Sequence, residues 1–252
     1  MARVGFIGTG EIAAAMVRGL RGLGHDIALS PRNAATAARL AAEEPGVRIL
    51  ENAEVVAQSD VVFLCLLARA VDDVLPGLPF RAGQAVISVM VDVSLSRLQT
   101  FCAPATDIAI TIPLPQIATG GCPLPVYPAS PALQAVFGGR NPVLTLPDER
   151  ALNAHLGATA LCSPMLAQLR VAADWLAGFT GDRAQAEAYV TGMIGTMIGN
   201  LAATGGLDGT MAALSTEGGL NATLRRAMES AETDLREGLD GFRERLGLES
   251  SA

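Results

Sequence analysis

The sequence predicts an α/β chain: a doubly wound parallel sheet followed by an all-helical segment. Three observations carry this. A short apolar strand at Arg3–Ile7 runs straight into Gly8-Thr9-Gly10-Glu11-Ile12-Ala13 and a helical pattern. Strand and helix patterns then alternate as far as Leu146, the pattern of a parallel sheet with helices on both faces. Beyond Leu146-Pro147-Asp148 no convincing strand follows, and the periodicity is helical up to Leu246. The expected division is therefore 1–147 for the sheet domain and 148–252 for the helical one.

Each element has its own signal. Gly8 permits a tight turn out of the first strand, Gly10 lets backbone approach a ligand closely, and Ala13 is small enough for the next helix to pack on that strand. That helix is expected over 11–23, ending at Gly24, with a strand at 25–29 behind it. An alanine-rich helix over 34–44 is stopped by Pro45-Gly46. A short strand at 47–50 and one or two helical turns at 53–58 follow. The run 60–66 is continuously apolar, as a parallel strand covered on both faces requires. A strand at 84–89 precedes a helix at 94–101, with Ser94 suited to cap it. Further strands are expected at 108–112, 122–127 and 142–146. The helical half breaks at 178–182, 205–209 and 216–219. Its stretch 184–201 is apolar nearly all round, so it is expected to be buried in its own subunit or against a partner. About a hundred such residues are too apolar to stand beside one sheet domain, and the expected partner is a second copy, in a homodimer built from the C-terminal helices.

Strand, glycine turn and helix start together point to a Rossmann-type dinucleotide site, with phosphates at the helix N-terminus against Gly8, Thr9, Gly10, Glu11 and Ile12. An acidic residue about 20 residues past the glycines would hold the ribose 2′-hydroxyl of NAD. Here the second strand ends Leu29-Ser30-Pro31-Arg32-Asn33, with no carboxylate. Ser30, Arg32 and Asn33 offer donors and one positive charge, which suits the 2′-phosphate of NADP, so NADPH is the expected cofactor.

Composition closes other routes. A net charge of −7 argues against nucleic acid and anionic membrane surfaces. No apolar run reaches transmembrane length, and the N-terminus enters a strand at once, so the cytoplasm is expected. The four cysteines are scattered, there is no C-x-x-C, and only His25 and His155 complete the soft-ligand set, which argues against a metal site. The chain has no lysine, and all 18 of its basic side chains are arginine. Chemistry that relies on a lysine acid, base or Schiff base is therefore closed to it.

Several stretches carry a family resemblance. They are the opening Gly5-Phe6-Ile7-Gly8-Thr9-Gly10-Glu11-Ile12-Ala13, then Ser30-Pro31, then Glu51-Asn52-Ala53-Glu54-Val55-Val56 leading into Asp60-Val61-Val62-Phe63-Leu64. Ile87-Ser88 with Val93-Ser94-Leu95 follows, and then Ser215-Thr216-Glu217-Gly218-Gly219-Leu220-Asn221-Ala222-Thr223-Leu224. Together they resemble the pyrroline-5-carboxylate reductases along nearly the whole chain. The resemblance implies NADPH-dependent reduction of a cyclic imine and an intertwined helical dimer. It also implies a cofactor contact at Asn52, with Cys65, Leu66 and Leu67 in the cofactor-binding stretch. The departures lie elsewhere. Cys65-Leu66-Leu67-Ala68 replaces the usual Ala-Val-Lys-Pro, and Met90-Val91-Asp92 replaces a glycine-bearing stretch. Ile112-Pro113-Leu114-Pro115-Gln116 loses an asparagine, and Leu161-Cys162-Ser163-Pro164 replaces a glycine-rich helix opening. Glu217 replaces proline and Asn221 replaces threonine in the Gly-Gly loop.

Imine reduction asks the protein for positioning and a proton. Gly218 and Gly219, opening a helix, suit a substrate anion through backbone N–H groups. Ser215, Thr216 and Leu220 are expected around the substrate, with Asn221 and Thr223 as the catalytic pair. The Asn221 amide donates a hydrogen bond to nitrogen but cannot release a proton. Helix capping is the plainer role for the same residues. Glu217 beside an anion site disfavours a carboxylate substrate, which points to a different imine or a small, uncharged carbonyl compound. Asp92 is a second acid to consider, against a plain solvated loop carboxylate. His25, His155, Trp175, Tyr189, Met193 and Met197 suit structural roles. The competing expectation is a dimer that binds NADP(H) and has lost turnover.

Overall fold

The computed structural model describes residues 1–90 and 92–249 and divides into two compact units, Met1–Leu156 and Gly157–Ala252. The first unit opens with β1 (Arg3–Ile7), α1 (Glu11–Gly19), β2 (Asp26–Leu29), α2 (Ala34–Glu43), β3 (Val47–Ile49), α3 (Asn52–Gln58) and β4 (Val61–Leu64). It continues through α4 (Val71–Val74), β5 (Ala85–Ser88), α5 (Leu95–Phe101), β6 (Asp107–Thr111), β7 (Leu124–Tyr127), α6 (Pro131–Phe137) and β8 (Val143–Thr145), and α7 (Glu149–Thr159) runs across the boundary between the units.

The eight strands form one sheet in the order β3-β2-β1-β4-β5-β6-β7-β8. Side chains alternate across it with the strand period of two. Val4, Phe6, Val61, Phe63, Ala85 and Ile87 enter one core, under α1 and α6. Ile7, Val62, Leu64 and Val86 enter the other, with Val55, Leu98 and Leu152 from α3, α5 and α7. Phe63 anchors the first core, its ring 5.1 Å from Phe6 and 5.6 Å, edge-on, from Phe137. Every ion pair found among the described residues is arginine with carboxylate, as in Arg3–Asp60, Arg21–Glu44 and Arg48–Asp26.

Two features depart from the expected all-parallel sheet. β6 and β7 pair antiparallel, with Ile110 opposite Tyr127 and Thr111 opposite Val126. The connection between them carries only the 3₁₀ turn Pro115–Ala118, which packs on α1 and does not cross the sheet. A parallel return needs a crossover, usually a helix. The second feature is α6, absent from the sequence expectations. Ser130 caps it by accepting from the Leu133 N–H at 3.1 Å, and Pro131 takes its first position. It is the crossover that makes β7 and β8 parallel. The capping of α5 by Ser94 is as expected, its hydroxyl accepting from the Arg97 N–H at 3.4 Å.

The second unit holds α8 (Cys162–Thr180), α9 (Arg183–Gly199), α10 (Gly206–Ala213), α11 (Leu220–Ala227) and α12 (Glu229–Asp240). Two of its interruptions, around Gly181 and around Gly218, fall at breaks predicted from sequence. The third expected break, 205–209, lies almost wholly inside α10, the chain leaving the helix at 200–205 instead, and the interruption at Met228 was not predicted. Between α8 and α9, Gly181 is left-handed and Asp182 caps α9 by accepting from the Gln185 N–H at 2.9 Å. Within this unit α9 buries only Ala186 and Val190, while Tyr189, Met193 and Ile198 stay exposed. No helix among the described residues is long and apolar enough to cross a membrane.

Candidate functional site

Strands β1, β2, β4 and β5 are parallel neighbours, so their C-terminal ends meet at one edge of the sheet. Ligands of open α/β sheets bind outside that edge. A cleft of about 670 Å³ lies there, within the ordinary size range of small-molecule sites. It is lined by residues 8–13 of the glycine turn, by Arg32, Asn33 and Ala34, by Cys65, Leu66 and Leu67, and by Val89.

The turn has a local cause. Gly8 sits at φ +93°, and a Cβ there would collide with the Cys65 carbonyl oxygen; only glycine meets both conditions. The Gly8 N–H donates to Ser30 Oγ at 2.7 Å, and Thr9 Oγ1 donates to the Ser30 carbonyl at 2.6 Å. Gly10 is the N-cap of α1 and has no side-chain cap, and the first helical bond runs from the Ala14 N–H to the Gly10 carbonyl at 2.9 Å. The first-turn N–H groups of α1 therefore lack helical partners, and the positive end of the helix dipole faces the turn. A Cβ at Gly10 would meet nothing within 4 Å, so there is open space above this N-terminus. These residues fit a dinucleotide diphosphate.

Arg32 and Asn33 are exposed on the loop after β2. Asn33 Oδ1 accepts from the Thr36 N–H at 3.3 Å, capping α2, and the residue lines the cleft. Among the described residues no carboxylate pairs with Arg32. Cys65 is half-buried and lines the cleft, and burial pushes its thiol up to about 12.

Ten of the twelve residues expected at the cofactor line this cleft; Ser30 and Asn52 do not. Ser30 is 0 % exposed, with both its oxygens turned to the glycine turn. Asn52 is the half-buried first residue of α3, whose start is fixed by Glu54 accepting from the Glu51 N–H at 3.2 Å. Asp92 is exposed in a turn ahead of α5, and its neighbour Val91 lies outside the described residues. His25 Nδ1 accepts from the Ala2 N–H at 3.2 Å, and partial burial lowers its pKa. His155 is exposed on α7, a ring nitrogen 2.8 Å from the Ala151 carbonyl. Ala34 and Val89 are lining residues that sequence reasoning passed over. The signal for Val89 was its place just after an apolar parallel strand.

The other predicted cluster forms one turn in the second unit. Gly218 is left-handed at φ +72°, and the Gly219 N–H donates to the Thr216 carbonyl at 2.9 Å. Gly219 is the N-cap of α11 without a side-chain cap, so the backbone N–H groups that follow it are open. Ser215 Oγ donates to the Met211 carbonyl at 2.6 Å and accepts from Arg225 Nη2 at 2.8 Å. Thr216, Glu217, Leu220, Asn221 and Thr223 are exposed. A separate groove of about 400 Å³ between α8 and α12, lined by Leu161, Met165, Leu235 and Phe242 among others, contains none of the predicted residues.

Fold and cleft define a Rossmann-type nucleotide-binding architecture with a helical second unit. Residues 3–92 match the family described as NADP oxidoreductase, coenzyme F420-dependent. No curated protein shows a significant match. Among solved structures, the chain is similar to a pyrroline carboxylate reductase from Plasmodium falciparum with NADP bound, at 13% identity and TM-score 0.80, covering 97% of each chain. It is also similar to the 1-pyrroline-5-carboxylate reductase of Streptococcus pyogenes, at 18% identity and TM-score 0.81, covering 97% of this chain and 98% of that one. An imine reductase from Aspergillus terreus, solved with NADPH4 and dibenz[c,e]azepine, follows at 22% identity and TM-score 0.54, covering 99% and 95%. The fold is that of the pyrroline-5-carboxylate reductases.

Proposed function

We propose that the chain is an NADPH-dependent reductase of a C=N bond in a small cyclic imine. The observation that carries this is the cleft itself: a glycine turn on an uncapped helix start, with the carboxylate-free loop of Arg32 and Asn33 beside it. The NADP-bound reductase and the imine reductases of like fold support it.

The N–H groups opening α1 would hold the diphosphate, and Arg32 with the Asn33 side chain would hold the 2′-phosphate. Cys65, Leu66, Leu67 and Val89 form the wall beside the rest of the cofactor. NADPH, when bound, would supply hydride-donor chemistry at this cleft. The protein's share is to hold carbon and nitrogen in line and to exclude water. Gly218 and Leu220 present backbone N–H groups to the substrate, Gly219 shapes the turn with its own N–H held by the Thr216 carbonyl, and Ser215 and Thr216 line the pocket. Asn221 donates to the imine nitrogen, and the Thr223 hydroxyl stands one turn from the loop. The proton comes from an iminium already protonated or from water, since an amide cannot give one up. Glu217 beside this turn selects against substrates that carry a carboxylate. The working unit is a homodimer joined through the C-terminal helices, which covers the exposed apolar side chains of α8 and α9.

The test follows NADPH oxidation with pyrroline-5-carboxylate and with a panel of uncharged cyclic imines. Turnover is expected, faster on imines without a carboxylate. Asn221→Ala should lower kcat/KM by about tenfold at unchanged NADPH affinity. Tight NADPH binding with no turnover on any imine would replace this proposal with a dimer that binds cofactor and has lost catalysis.

A further inference from the structure

We propose that Ser30 and Thr9 form an internal clamp that sets cofactor preference without touching the cofactor's 2′-phosphate. The inference rests on the NADPH reading above and deepens it. Ser30 is fully buried and Thr9 nearly so, at 0 and 2 % exposure. Their two bonds run in the same sense across 22 and 21 residues of sequence: Gly8 N–H to Ser30 Oγ at 2.7 Å, and Thr9 Oγ1–H to the Ser30 carbonyl at 2.6 Å. A third bond, from the Ser30 N–H to the Phe6 carbonyl at 3.0 Å, continues the β1–β2 ladder to this point.

Two consequences follow from this geometry. The Gly8 N–H is turned inward, so the diphosphate is left to the N–H groups after it, at the start of α1. The residue that opens the loop carrying Arg32 is also pinned, through both its side chain and its carbonyl, to the turn that carries the diphosphate. The spacing between diphosphate site and 2′-phosphate site is thereby fixed. A cofactor with phosphates at both points depends on that spacing, whereas one lacking the 2′-phosphate touches only the first. Buried hydrogen bonds of this kind are costly to leave half made, because the orphaned N–H stays away from water.

The clamp predicts a change in discrimination and not only in affinity. The variants are Ser30→Ala, Thr9→Val and Thr9→Ser, and the probes are NADPH and NADH, titrated by fluorescence against the full chain. Ser30→Ala and Thr9→Val are expected to weaken NADPH about tenfold and NADH no more than about threefold, lowering the preference ratio. Thr9→Ser retains the hydroxyl and should keep the wild-type ratio. Equal weakening of both cofactors, or a Thr9→Val that matches Thr9→Ser, would overturn the clamp while leaving the NADPH reading intact. If Ser30→Ala does not fold, the two Thr9 variants decide the matter alone. A wild-type chain that binds neither dinucleotide would overturn both proposals together.

Discussion

The two units handle apolar surface in opposite ways. In the first, both faces of the sheet are covered by helices of the same unit, and side chains as large as Phe6, Phe63 and Phe137 have no more than about 1 % exposure. In the second, Ala173, Ala186 and Val190 are the buried apolar residues among those described, while Trp175, Phe179 and Tyr189 are exposed at 68, 77 and 63 %. Trp175 and Phe179 pack on each other, ring centroids 5.0 Å apart, with no core of their own unit over them. Burial is the main favourable term in folding and association alike. The first unit covers its own large apolar side chains, whereas the second leaves large aromatic ones exposed.

The sharpest way to break this contrast is at the turn. Gly8→Ala puts a side chain at φ +93° against the Cys65 carbonyl. NADPH affinity should fall by about a hundredfold or more, with a clear loss of thermal stability, read by fluorescence titration and calorimetry. Next comes the exposed aromatic pair. Trp175→Glu should weaken self-association by about a hundredfold, seen in sedimentation equilibrium, and leave NADPH binding unchanged. A wild-type chain that sediments as a monomer with α8 and α9 folded would end the contrast as drawn. Arg32→Ala should weaken NADPH by about tenfold and leave NADH alone, which sharpens the account of the cleft.

The smallest effect lies at the surface of the first unit. Hydrogen bonding from Arg3 holds the Asp60 carboxyl below its ordinary pKa. A depressed folded pKa stabilises the folded state above the unfolded carboxylate value, and that stability is lost as pH falls through the folded value. The pair is about half exposed, so Asp60→Asn should lower Tm by only about 1–2 °C near neutral pH. The difference should vanish in acid, as a melting series against pH would record.

Much of the first unit was legible because its signals are local. Strand, glycine turn and helix lie within eleven residues, and Ser94 and the breaks around Gly181 and Gly218 act on their immediate neighbours. The direction of β7 was not legible, because an apolar run does not say which way it pairs. α6 was readable in principle from Ser130-Pro131, but its seven residues are too few for a helical period to stand out. The orientation of Ser30 escaped because its partners lie over twenty residues away, where spacing says nothing. The apolar character of α9 was plain from sequence, but its own unit does not bury it. Sequence shows that a helix needs cover, not what supplies it.

The guanidinium-only charge of this chain bears on chemical self-protection. Cyclic imines open in water to amino-carbonyl forms, and such carbonyls condense with side-chain amines. Every ion pair found among the described residues, from Arg3–Asp60 to Arg243–Asp240, uses a guanidinium, which resists that condensation. A chain with the cyclic-imine activity proposed above would meet the hydrolysed form of that substrate without accumulating lysine adducts.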